Sequence, residues 1–116
     1  MTPVLYGIPN CDTVRKARQW LSQHDIAYQF IDFKSSAPDT AMIEEWLDRA
    51  GSDRVINRRS TTWKQLDAGE RELIESGNAA AVLQRQPTLI KRPVLITNTT
   101  LLVGFKTADY AAEFGV

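Results

Sequence analysis

The sequence predicts an α/β domain built on a four-stranded mixed sheet, and three observations carry that expectation. Strand-like residues 4–6 and 27–33 flank a helix-periodic stretch. Residues 39–50 and 61–86 are patterned as helices. After Pro87 the pattern returns to strand, as a hairpin followed by one more helix.

Val4-Leu5-Tyr6 reads as a short buried strand. Pro9 cannot sit inside a helix, so the first helix starts after it and runs from Asp12 to Ser22, with Val14, Ala17 and Leu21 at helical spacing and Trp20 beside them. Ala27 to Phe33 alternates aromatic or branched residues with polar ones, the pattern of a second strand. A helical crossover of this length implies two parallel neighbouring strands joined in the right-handed sense. Pro38-Asp39 opens the next helix, Asp39 to Ala50, and Gly51 ends it.

Between Thr61 and Gln86 the helical pattern breaks at Gly69 and at Gly77-Asn78. Three short helices are predicted, near Thr62–Leu66, Glu70–Glu75 and Ala79–Arg85. Val94 to Thr97 and Thr100 to Val103 then form a predicted hairpin around Asn98-Thr99, a turn in which Asn tolerates the positive φ that tight hairpins need. Thr107 is the expected cap of a last helix, Ala108 to Phe114. The order βαβ, helical insert, ββα is the thioredoxin-like arrangement. It predicts one domain over residues 1–116 with a helical insertion at about 39–86.

Composition narrows the function. The 116 residues carry 14 basic and 14 acidic side chains, so no overall field draws the chain to nucleic acid or an anionic membrane. No apolar run approaches the ~20 residues of a membrane span. Pro3 to Tyr6 reads directly as strand without a basic leader. With one cysteine, no internal disulfide can form, and a reduced, cytoplasmic setting is expected. One His and one Cys do not suggest a zinc site, and no metal or tightly bound cofactor is expected.

Cys11 is the chemical focus. Free cysteines are among the most buried residue types and usually act as small hydrophobes. Here the neighbours are polar Asn10 and Asp12, and the residue follows the turn signal Pro9-Asn10 where strand gives way to helix. Helix N-termini carry free N–H groups and about half a positive charge, which favours the reactive thiolate. Arg15 and Lys16 oppose the helix dipole. They make sense if they face an anion or a thiolate, and are otherwise ordinary solvated charges, while Asp12 would raise a neighbouring thiol. Arg58-Arg59 is either a solvated loop or a fork for oxyanions and carboxylates. Arg92 precedes Pro93 at the start of a strand, where a thioredoxin-like fold places a cis proline opposite the nucleophile's loop. His24 is expected to sit at the end of the first helix, and Trp20, Trp46 and Trp63 to be core or semi-core.

Three segments together resemble the glutaredoxin-type arsenate reductase (ArsC) family, most closely its YffB-like branch. They are Tyr6-Gly7-Ile8-Pro9-Asn10-Cys11-Asp12-Thr13-Val14-Arg15-Lys16-Ala17, Asn57-Arg58-Arg59-Ser60-Thr61-Thr62-Trp63 and Ile90-Lys91-Arg92-Pro93-Val94-Leu95. The resemblance implies that Cys11 is the nucleophile and that glutathione is the co-substrate completing its cycle. It also implies anion binding by Arg92 and by Arg59 or its neighbour Arg58, with Asn10, Asp12, Thr13 and Pro93 completing the substrate-binding set.

Arsenate reductases of this type carry a further arginine near the last strand. Here Leu102-Val103-Gly104-Phe105-Lys106 offers only a lysine, which does not reproduce a guanidinium fork. Spx-type regulators share the fold more distantly. Many of them use a Cys-x-x-Cys switch, whose second position is Val14 here. The leading expectation is a monomeric, glutathione-dependent thiol reductase acting on a small-molecule or protein disulfide through a mixed disulfide at Cys11. The alternatives are weak arsenate reduction and a non-enzymatic, Spx-like protein-binding module.

Overall fold

A computed structural model of the protein describes residues 2–116. The chain divides into two compact units, one formed by the residues up to Ser36 with Arg92–Val116, the other by Ala37–Lys91.

The first unit holds the sheet. Its elements are β1 (Val4–Gly7), α1 (Asp12–Gln23), β2 (Gln29–Asp32), β3 (Val94–Ile96), β4 (Leu101–Val103) and, last in the chain, α7 (Thr107–Phe114). The strand order is β2-β1-β3-β4. β1 runs parallel to β2, with Val4 opposite Gln29 and Gly7 opposite Asp32, and antiparallel to β3, with Tyr6 opposite Val94. This is the mixed sheet of a thioredoxin-like fold, as the element order predicts. β2 is shorter than the expected 27–33 because a strand extends only as far as its neighbour pairs with it, and β1 supplies four residues. The ladder still reaches one residue further, where Phe33 N–H donates to the Gly7 carbonyl at 2.8 Å.

One apolar stripe seats α1. Val14, Ala17 and Leu21 are fully buried, and Ala17 and Leu21 join Leu5, Leu95 and Tyr110 in a core against which Trp20, Ile26, Phe30, Leu102 and Phe105 pack. α1 ends in a Schellman motif. Ile26 N–H reaches back to the Leu21 carbonyl at 2.9 Å and Asp25 N–H to that of Ser22 at 3.1 Å. Asp25 takes the left-handed conformation at φ 55° that usually belongs to glycine. His24 stands at the cap of this helix with its ring against Trp20, the centroids 4.1 Å apart.

The hairpin corrects one sequence expectation. Asn98 has no positive φ; Asp25 is the one described non-glycine residue that has. Thr97 closes the turn instead. Its N–H donates to the Thr100 carbonyl at 2.9 Å and its hydroxyl accepts from Thr100 N–H at 3.1 Å. Thr107 likewise does not cap α7; Lys106 takes the cap position, without a side-chain bond.

The second unit is helical: α2 (Thr40–Ala50), α3 (Ser52–Val55), α4 (Thr61–Gln65), α5 (Ala68–Glu75) and α6 (Ala79–Arg85), then a 3₁₀ turn at Pro87–Leu89. α6 packs against both α2 and α5. α2 starts one residue later than expected because Asp39 is its cap, accepting from Met42 N–H at 2.8 Å, and Gly51 ends it as expected, at φ 88°. Gly69 is not the break expected of it. It lies in the first turn of α5, which starts earlier because Asp67 and Glu70 form a capping box. Neither α3 nor the 3₁₀ turn was expected, since so short a segment shows no helical period. An isolated antiparallel bridge pairs Ile56, just after α3, with Ile90, just after the 3₁₀ turn. Among the described residues no helix is long and apolar enough to cross a membrane, and no His, Cys, Asp and Glu cluster could hold a metal ion.

Tyr110 lies in the core between Trp20 and Phe105, edge-to-face with both at 5.6 and 4.8 Å. Its hydroxyl is buried with no hydrogen-bond partner among the described residues, and burial pushes its pKa up. An unpaired buried hydroxyl costs about 1–3 kcal/mol. Tyr110→Phe is therefore expected to leave stability unchanged or raise it by about 1 kcal/mol in urea unfolding. A loss of that size would show that the hydroxyl has a partner.

Candidate active site

Topology decides what surrounds Cys11. Because β1 and β3 are antiparallel neighbours, the residues that follow β1 lie at the same end of the sheet as those that precede β3. The first group is the turn Ile8-Pro9-Asn10-Cys11, closed by Cys11 N–H on the Ile8 carbonyl at 3.3 Å. The second is Arg92-Pro93, whose peptide bond is cis. Cys11 and Arg92 meet there, although 80 residues separate them in the chain.

Cys11 occupies the N-cap of α1 with extended backbone dihedrals, φ −101° and ψ 128°. Ser, Thr, Asp or Asn would ordinarily stand there, accepting from the N2 or N3 amide. The Cys11 side chain makes no conventional cap bond. The sulfur is nevertheless in reach of the same amides, and the interaction grows when it ionises. Partial burial by itself would push the thiol up. That effect is outweighed by Val14 N–H, by a hydrogen bond from the Arg92 side chain, by Thr13 N–H and by the positive charge of Arg92, so the thiol lies below its ordinary value. The cysteine is partly exposed, so a small thiol or disulfide can reach it.

The other predicted positions divide. Asn10 and Thr13 are exposed on either side of Cys11, and Pro93 is buried beside Arg92 in sequence. Asp12 pairs with Arg15 one turn on. Of the two readings open for Arg15, the structure gives the solvated one: it is an exposed charge paired with the exposed Asp12. Lys16 is an exposed charge. Arg58 and Arg59 belong to the helical unit. Arg58 bonds Asp53 at 3.3 Å and lies over the Trp63 ring, 5.3 Å from its centroid. The Arg59 side chain is exposed, while its backbone N–H donates to the Asn57 side chain at 3.1 Å.

Two contributors escaped the sequence reading. One is the Val14 amide, which acts through the backbone and leaves no side-chain signature. The other is Gly7, the last residue of β1, where an added Cβ would lie 2.8 Å from Val14 Cγ2. A glycine closing a strand just before a turn is the available signal for such a close approach.

The sheet order and the cysteine at the start of the first helix define a thioredoxin-like α/β protein with its one thiol at the N-terminus of α1. The chain belongs to the ArsC family, whose model matches residues 6–113. It is 42% identical to a YffB protein of known structure, with a TM-score of 0.90 over 96% of this chain and 97% of that one. It is also 38% identical over 110 residues to an uncharacterized protein of Haemophilus influenzae, covering 95% of this chain and 96% of that protein. The global transcriptional regulator Spx of Listeria innocua is related as well, at 33% identity over 103 residues, 87% of this chain and 78% of the regulator.

Replacing Arg92 by Gln removes the cation and part of the hydrogen bond. The Cys11 pKa is expected to rise toward its ordinary value, read from alkylation rate against pH. An unchanged profile would mean that the backbone amides act alone.

Stability follows the same ionisation. Cys11 is an acid whose folded value is depressed. The stabilisation it contributes is complete above the unfolded thiol value of about 8.5 and is lost as pH falls through the folded value. The stability difference between wild type and Cys11→Ser should therefore shift in favour of the wild type from acid to alkaline pH. A difference independent of pH would contradict the depressed value.

Proposed function

We propose that the protein is a glutathione-dependent thiol reductase with Cys11 as its sole redox sulfur. The observation that carries this reading is the convergence of the Thr13 and Val14 amides and the Arg92 guanidinium on one partly exposed thiol.

In the proposed cycle the Cys11 thiolate attacks a glutathione mixed disulfide, GS–SR. The Cys11–SG bond forms, the S–S bond of the substrate breaks, and RS⁻ leaves with the electron pair and takes a proton from water. A second glutathione thiolate then attacks the glutathione sulfur of Cys11–SG. That step releases oxidised glutathione and regenerates the Cys11 thiolate. An external thiol is required because the chain has no second cysteine; Val14 stands three positions on. Arg92 stabilises the sulfur's charge at the start and end of each exchange. Between them the sulfur is neutral, which leaves the guanidinium for a carboxylate of glutathione.

Cys11→Ser should abolish glutathione-dependent reduction of hydroxyethyl disulfide. Serine is a better N-cap than cysteine, so the variant should fold and the loss will not be a loss of structure. Mass spectrometry of the wild type with oxidised glutathione should show one added glutathione, absent from Cys11→Ser. Arg92→Gln should be slowed about tenfold or more at neutral pH, the size expected for losing a charge-assisted bond. Turnover by Cys11→Ser, or a wild type without any mixed disulfide, would overturn the proposal.

The relation to Spx supports a second reading, a protein-binding module. Retention of a protein partner by Cys11→Ser, together with no thiol turnover by the wild type, would favour it. Arsenate, offered as the electrophile in the same assay, distinguishes general thiol exchange from oxyanion reduction.

A further inference from the structure

Gly7 lies directly against Val14, where the sheet meets the helix that Cys11 opens. A Cβ built on Gly7 would stand 2.8 Å from Val14 Cγ2 and 3.3 Å from Cγ1, but 3.7 Å from Cβ, an ordinary contact. Neither partner has room to give. Gly7 is held in the sheet, opposite Asp32, with its carbonyl accepting from Phe33 N–H at 2.8 Å. Val14 is fully buried, and a β-branched side chain in a helix has essentially one χ1 well. A methyl group at position 7 would therefore displace the first turn of α1 as a body.

We propose that Gly7 is a positioning residue for Cys11: the bare α-carbon lets Val14 seat against β1, and that seat sets where the first-turn amides lie relative to the sulfur. Val14 thus has two roles at one position. Its side chain fixes the distance from helix to sheet, and its N–H faces the sulfur. Cys11 is attached to both ends of this arrangement. Its N–H is tied to Ile8 beside the strand, and its carbonyl accepts from Arg15 N–H at 2.9 Å inside the helix. A shift of the helix by a few tenths of an ångström changes the fit between them.

The inference rests on the reading of Cys11 as the nucleophile, and a set of titrations separates the two. Alkylation rate against pH is measured for the full-length wild type, Gly7→Ala, Val14→Ala and the double variant. Gly7→Ala is expected to raise the thiol's inflection by about half a unit or more, roughly a threefold loss of thiolate at neutral pH. Val14→Ala keeps the amide and removes the methyl groups that a Cβ at position 7 would meet, and its own inflection is the reference for the double variant. The double variant should match Val14→Ala, because the atoms that clash are gone. An unshifted, folded Gly7→Ala overturns the inference, and so does a double variant that keeps the raised inflection. If Gly7→Ala does not fold, the double variant decides: folding with the Val14→Ala profile supports the contact, and failure to fold contradicts it. A wild type with an ordinary thiol value would instead defeat the nucleophile reading itself.

Discussion

One electrostatic arrangement organises the active end of the sheet: a sulfur at a helix N-cap, with two backbone amides below it and a guanidinium beside it. It depends on strand order more than on any local sequence. β1 leads into the helix that Cys11 opens, β3 follows Arg92, and the two are antiparallel neighbours at the centre of the sheet. Exchanging the positions of β3 and β4 would leave every local element intact and remove the arginine from the thiol.

The cysteine is a poor structural choice for its position, and comparing magnitudes shows why the fold tolerates it. A missing N-cap bond costs about 1 kcal/mol. Burying the helix's Val14 and Leu21 side chains contributes about 1.5–3 kcal/mol each. Packing therefore places α1, and the N-cap is free to carry chemistry. The acidic first-turn residue Asp12 is exposed and paired with Arg15, and the groups that lower the thiol are the amides of Val14 and Thr13 and the side chain of Arg92.

Much of this was legible in the sequence because the signals were strong: a helical apolar stripe over 14–21, a proline stop before it, a helix start at Pro38-Asp39, and strand patterning on both sides of the helical insert. Cys11 stood out as a lone thiol among polar neighbours at a strand-to-helix junction. What escaped had physical reasons. The capping box at Asp67 and Glu70 overrode the glycine at 69 as a helix boundary. The hydroxyl of Thr97 replaced the positive φ expected of Asn98. The partnership of Cys11 with Arg92 depends on tertiary pairing across most of the chain. No window of sequence contains it; the expected fold and the family resemblance pointed to it.

The account's central claim is that the sulfur of Cys11 is held ionised by its surroundings. Since the chain has one cysteine, a ¹³Cβ-labelled sample gives a single cysteine resonance whose shift reports thiol ionisation without any reagent. Titrated by NMR, that resonance should move through its midpoint below the pKa of about 8.5 of a free cysteine. A midpoint at or above that value would contradict the account.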